Sequence, residues 1–195
     1  MVLAMACIAW STACTSQAVP GPQPPVQAAA VSGPASGAPA PANPDTGPLT
    51  LRSTAFPANG LIPVNFSCAG DNTSPPLTWH GAAPVGTTTW AIVLQDLDVK
   101  PGPWIQWMVT GIPVATRSLA AGQVAAGSVA RRASNSTAGF VGMCPPSGTV
   151  HHYRFTVYAD GGPQSVPVAA GPQQVLKAIE TGAVGTASLD GTFAR

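Results

Sequence analysis

Charge is confined to one part of this chain. Residues 1–48 hold a single charged side chain, Asp45, and every other one lies between Arg52 and Arg195. Residues 15–48 are instead rich in Pro, Ala, Gly, Ser and Gln, with Pro20, Pro22, Pro24, Pro25, Pro34, Pro39, Pro41, Pro44 and Pro48 spread along them. Such a stretch cannot bury enough apolar surface to offset its ordering entropy. Proline also disfavours helix and interior strand. The expectation is an extended, semi-rigid tether over 15–48 and one folded domain over 49–195, a length that suits a single domain.

The segment before the tether is apolar from Met1 to Ala13. It is too short to span a bilayer, which takes about 20 residues, and it suits the apolar region of a secretory signal. Cys14 follows Ser11-Thr12-Ala13. This is similar to the lipobox of bacterial lipoproteins, whose Cys is acylated and becomes the mature N-terminus. No basic residue precedes the run, and Ser11 stands where Leu is usual. Export with simple cleavage is the alternative. Acylation at Cys14 is the expectation on this resemblance, and two or more acyl chains would anchor the protein stably where one does not. The chain is then exported in a bacterium, as a cell-membrane lipoprotein or a secreted protein.

Hydrophobic residues make up 45% of the chain, enough for a sizeable core, and the formal net charge is +1. No general electrostatic attraction to nucleic acid follows from that balance. The pair Arg131 and Arg132 reads as a solvated loop.

Within 49–195, short apolar runs alternate with Gly/Pro/Asn/Asp clusters. Strands are expected over Leu49–Ala55, Leu61–Ser67, Leu77–Trp79, Thr89–Gln95, Trp104–Thr110 and His152–Ala159. In the last, Tyr153, Phe155 and Val157 fall on one face. Many short strands with regular turns indicate a sandwich or barrel. One helix is expected, Pro172–Thr181, with Pro172 in its first turn, Gly182 as a C-cap, and Val175, Leu176 and Ile179 as its apolar face.

The domain holds two cysteines, Cys68 and Cys144. With no Cys-x-x-Cys motif, a structural zinc site is not expected. In an oxidising compartment the pair is expected to form a disulfide. Two separate buried thiols are the alternative.

Two clusters carry chemical potential. Asp96-Leu97-Asp98 follows an apolar strand, and residues two apart on a strand point the same way. The two carboxylates can face one small volume, or they can lie in a solvated turn. The second cluster runs from Gly142 to Tyr153. Its first half is a rigid Cys-Pro-Pro-Ser-Gly loop, and its second half delivers His151, His152 and Tyr153 to a strand. Rigid loops that expose backbone N–H groups beside His or Tyr suit an anion.

Taken together, these clusters resemble those of the phosphatidylethanolamine-binding family, in its bacterial Raf kinase inhibitor-like branch. The matching stretches are Phe56-Pro57, Ile62-Pro63, Phe66 through Trp79, Asp96-Leu97-Asp98, Trp104-Ile105-Gln106-Trp107, Ile112-Pro113, the loop from Cys144 through Tyr153, and Leu189 through Arg195. The resemblance implies a mostly β fold: an antiparallel, Greek-key β-sandwich with one short helix near the C-terminus. It also implies a small anion pocket using Asp96, Asp98, Gln106, Gly142, Pro145, His151 and Tyr153, with Trp104 and Trp107 as walls.

The chain departs from the family pattern in five places. Leu97 replaces a Pro, Gln106 a His and Met143 a Pro, an extra Val150 precedes His151, and His152 stands where Arg is common. Gln can donate a hydrogen bond but cannot be cationic, so phosphate affinity should be weaker. The expected function is a non-catalytic binding protein for a small anion, either phosphate or a phospholipid head group. No cofactor, metal or nucleic acid is expected, and membrane contact comes through the N-terminal lipid. One alternative is a protein-interaction module of the kinase- or protease-inhibitor kind. The other is a hydrolase using Asp96 or Asp98 with His151, for which the sequence places no nucleophile beside a base.

Overall fold

The computed structural model describes residues 46–162, 166–167 and 169–195. The expected signal, Cys14 and the tether before Thr46 lie outside the described residues. Strands form in the order β1 (Thr50–Arg52), β2 (Gly60–Leu61), β3 (Leu77–His80), β4 (Thr89–Asp96), β5 (Trp104–Pro113), β6 (Ser118–Leu119), β7 (Val129–Ala130), β8 (Val150–Asp160) and β9 (Ala183–Ala194). The single α-helix among the described residues, α1 (Pro172–Gly182), lies between β8 and β9. No described helix is long and apolar enough to cross a membrane.

Two sheets result. The small one has the order β1-β3-β6, and the large one β2-β9-β8-β4-β5-β7. Strands β4, β5 and β7 are successive neighbours, and β8 returns to lie beside β4, which is Greek-key order. Pairing is antiparallel except where β2 runs parallel to the end of β9.

The core explains why β4 reads as an unbroken apolar run. Trp90, Ile92 and Leu94 pack toward the small sheet with Leu51, Leu77, Trp79 and Leu119. Ala91 and Val93 face the other way, against Val175, Leu176 and Ile179 of α1. A strand covered on both faces has no polar side to show. On β8, Tyr153, Phe155 and Val157 share the inner face as expected. Helix α1 keeps its expected apolar face, and Gln174 Oε1 accepts the Gly171 N–H at 3.2 Å.

Several elements differ from expectation: the two-residue strands β6 and β7 were not expected, and Gly182 is the last residue of α1 while Ala183 is its C-cap. The run Leu61–Ser67 is not one strand, because Pro63 directs the chain into a 3-10 turn over Val64–Phe66. Strand β9 is twelve residues long and was not expected. Its small residues let neighbours approach closely: a Cβ on Gly191 would sit 2.8 Å from Ile62, and one on Gly185 2.5 Å from Pro84.

Candidate functional site

The ends of β4, β5 and β8 meet at one edge of the large sheet. Asp96, the last residue of β4, lies between Tyr153 of β8 and Trp104 of β5. It continues the inward face of Trp90, Ile92 and Leu94, and it is 3% exposed. A buried carboxylate is costly unless partnered. Here Oδ2 lies 2.8 Å from His151 Nδ1, and Oδ1 accepts the Asp98 N–H at 3.0 Å. The His151 ring stacks on Tyr153, two residues along the same face, with centroids 6.4 Å apart.

Strand β5 brings its side chains here through an irregularity. Leu94 pairs with Trp107 but Gln95 pairs with Ile105, so Gln106 is an extra, bulged residue. Bulges re-aim side chains, and Gln106 is 5% exposed on the wall of a cavity of about 360 Å³. That cavity is lined by Asp96, Trp104, Gln106, Asn135, Cys144 and His151, with Val99, Val141 and Pro146. The Gln106 side-chain amide has no hydrogen-bond partner among the described residues.

The opposite wall is the Pro-Pro loop, and it is tied down. A Cys68–Cys144 disulfide joins it to the 67–72 loop. The Cys68 N–H donates to Met143 O at 3.1 Å, and the Gly142 N–H donates to Asn72 Oδ1 at 2.8 Å. A Cβ at Gly142 would meet that same Oδ1 at 2.6 Å. The pairing expected of the two cysteines is thus present in the structure.

Tyr153 is fully buried, and among the described residues its hydroxyl makes no hydrogen bond of standard geometry, although it lies close to Asp96. Burial first, then the Asp96 charge, pushes its pKa far above the ordinary value.

Asp98 takes a different path. Beyond Asp96 the chain leaves strand geometry, and Asp98 turns to the outer surface. Its Oδ2 accepts the His152 backbone N–H at 2.6 Å and lies 3.0 Å from His152 Nδ1. The backbone bond is the main reason its carboxyl titrates below the usual range, with the His152 ring adding to it against slight burial. Asp98 lines a separate depression with His152, Arg154, Asp190 and Thr192. There Arg154 grips Asp190 through two hydrogen bonds of 2.8 Å, lowering the Asp190 pKa and raising its own. Donor atoms of Asp96, Asp98 and His151 lie within 4.8 Å of one another. Each carboxylate already has a histidine partner, Asp96 in His151 and Asp98 in His152.

Residues 52–194 match the phosphatidylethanolamine-binding protein family. The chain belongs to this family. It is 43% identical over 147 residues to the protein named as lipoprotein LppC of Mycobacterium tuberculosis, covering 75% of this chain and 72% of that one. It is 35% identical over 152 residues to a UPF0098 protein of Methanothermobacter thermautotrophicus, covering 75% and 99% respectively. The crystal structure of Escherichia coli YbcL, described as a new member of the mammalian PEBP family, superposes with a TM-score of 0.69 at 28% identity, covering 75% of this chain and 98% of that chain.

Among the residues expected from the family pattern, the structure gathers Asp96, Trp104, Gln106 and His151 around the cavity, with Tyr153 packed behind His151. Asp98 lies on the other side of the strand end. Gly142 and Pro145 shape the loop without lining the cavity, whereas Pro146 lines it. Trp107 is not a wall; it is a core residue packed edge-on against Phe140 at 5.6 Å. Asn135 was missed. Its Oδ1 accepts the Thr137 N–H at 3.0 Å, which leaves its NH₂ free to donate. The polar run Ser134-Asn135-Ser136-Thr137, with an Asn two residues before an acceptable turn N–H, is the signal that marks such a turn.

Proposed function

We propose that this domain is a non-catalytic binding protein for a small anion of the phosphate or phospholipid head-group type, carried on an exported, lipid-anchored chain. The observation that carries this reading is the buried Asp96–His151 pair in a cavity whose other polar groups are the amides of Gln106 and Asn135. Asp96 orients the His151 ring through its Nδ1, and the two amides supply neutral donors. The lining offers no serine, threonine or free thiol, since Cys144 is in the disulfide. That composition supports binding over covalent catalysis. The lipoprotein name of the mycobacterial relative, with Ser11-Thr12-Ala13-Cys14 in this chain, supports the anchor.

The test is thermal stability of the full chain against a panel of anions that includes inorganic phosphate and glycerophosphoethanolamine. Wild type is expected to shift upward with phosphate-type anions. Gln106→His, which adds a titratable donor at the bulge, is expected to bind them more tightly. A panel in which no anion stabilises either protein rejects the reading.

A further inference from the structure

The cavity is built for an anion but contains no lysine or arginine in its lining. The nearest arginine in sequence, Arg154, faces outward and is paired with Asp190. A different arginine reaches the rim. On β9, Leu189 and Phe193 are buried on the inner face, and Phe193 pairs with His151. Arg195, two residues beyond Phe193, continues that alternation. Its backbone is fixed to the Pro-Pro loop from both sides: the Gly148 N–H donates to Arg195 O at 2.7 Å, and the Arg195 N–H donates to Thr149 O at 3.4 Å. Its Nη1 donates to Cys144 Sγ at 3.5 Å, and Cys144 is part of the cavity wall.

Sulfur is a weak acceptor. Among the described residues Arg195 has no carboxylate partner, and it is exposed. An arginine held by its backbone, with its charge resting on a weak acceptor at the rim of a cavity that lacks a cation, is positioned to exchange that contact for a stronger one. We propose that Arg195 is a ligand-binding residue: its guanidinium leaves the disulfide sulfur and grips the phosphate group of the occupant, opposite His151. This rests on the anion-pocket reading above and deepens it. It assigns to Arg195 the charge that Gln106 cannot supply, and it predicts a preference for anions with two oxygens free for bidentate contact.

The experiment is calorimetric titration of the full chain with inorganic phosphate and, separately, with glycerophosphoethanolamine, in wild type, Arg195→Gln and Arg195→Lys. Arg195→Gln is expected to weaken both ligands by about tenfold to a hundredfold, the span for a lost hydrogen bond to a charged group, with an unchanged melting temperature. Arg195→Lys is expected to recover part of the loss. Whichever ligand wild type holds more tightly identifies the source of the phosphate group. Wild-type affinity in Arg195→Gln overturns the proposal, as does equal weakness in Arg195→Lys and Arg195→Gln. If wild type binds neither ligand, the anion-pocket reading itself fails, and Arg195 falls with it.

Discussion

Two aspartate–histidine pairs sit side by side at the end of the large sheet. Asp96–His151 and Asp98–His152 have nearly equal lengths, 2.8 and 3.0 Å. Their surroundings differ. The side chains of the first pair are 4% and 15% exposed, and those of the second 39% and 63%. Water screens the outer pair and competes for its hydrogen bonds, whereas the inner pair is held by protein neighbours, the Asp98 N–H on Asp96 and the Tyr153 ring on His151, and meets little solvent beyond what enters the cavity. Pairing distance therefore says little about function. Which side of the strand end a side chain takes decides whether its charge is available to a ligand.

The largest effect that sharpens this comparison comes from the disulfide, which walls only the inner site. Replacing Cys68 and Cys144 with Ser is expected to lower stability by about 2–5 kcal/mol and to weaken anion binding, while the Arg154–Asp190 and Asp98–His152 contacts persist. Chemical denaturation and titration of the same protein check both. Next, Asp96→Ala leaves His151 without its partner in a buried place, at about 3 kcal/mol. Asp98→Ala is expected to cost less than about 1 kcal/mol. Equal losses in the two variants would erase the distinction between the pairs.

Tyr153 gives a smaller, pH-dependent effect. Its folded-state pKa is raised, so above about pH 10 the unfolded chain loses this proton and the folded chain keeps it. Stability should fall as pH rises through that range, and Tyr153→Phe should remove this part of the alkaline limb. The smallest effect is that of Asp98. Its folded pKa is lowered, so its contribution is present above about pH 4 and disappears as pH falls through the folded value. Asp98→Asn should flatten that limb only slightly, as read by acid unfolding.

Much of this arrangement is legible in the sequence. Strands β4, β5 and β8 announce themselves by apolar runs and alternation, and the residues at their ends, Asp96, Trp104 and His151, follow from strand position and the family pattern. Strand β9 does not announce itself, because Gly185 and Gly191 serve close approach rather than apolar burial and its Ala, Ser and Thr residues give no apolar run. Asp98 was expected beside Asp96 because period two holds within a strand. The strand stops at Asp96, and the period stops with it. Gln106 shows the converse: a one-residue bulge, invisible in sequence, is what brings it to the cavity. Asn135 and Arg195 come from a loop and a strand end distant in sequence, and only the tertiary fold places them.

The measurement that bears most directly on the central claim is the phosphate-induced thermal shift of wild type, His151→Ala and Asp98→Ala, each as the full chain. At 100 times the dissociation constant a ligand stabilises by about 2.7 kcal/mol, several degrees for a domain of this size. The inner-pocket account predicts that shift in wild type and Asp98→Ala and its loss in His151→Ala. A shift that survives in His151→Ala but vanishes in Asp98→Ala would place the anion on the outer surface and contradict the account.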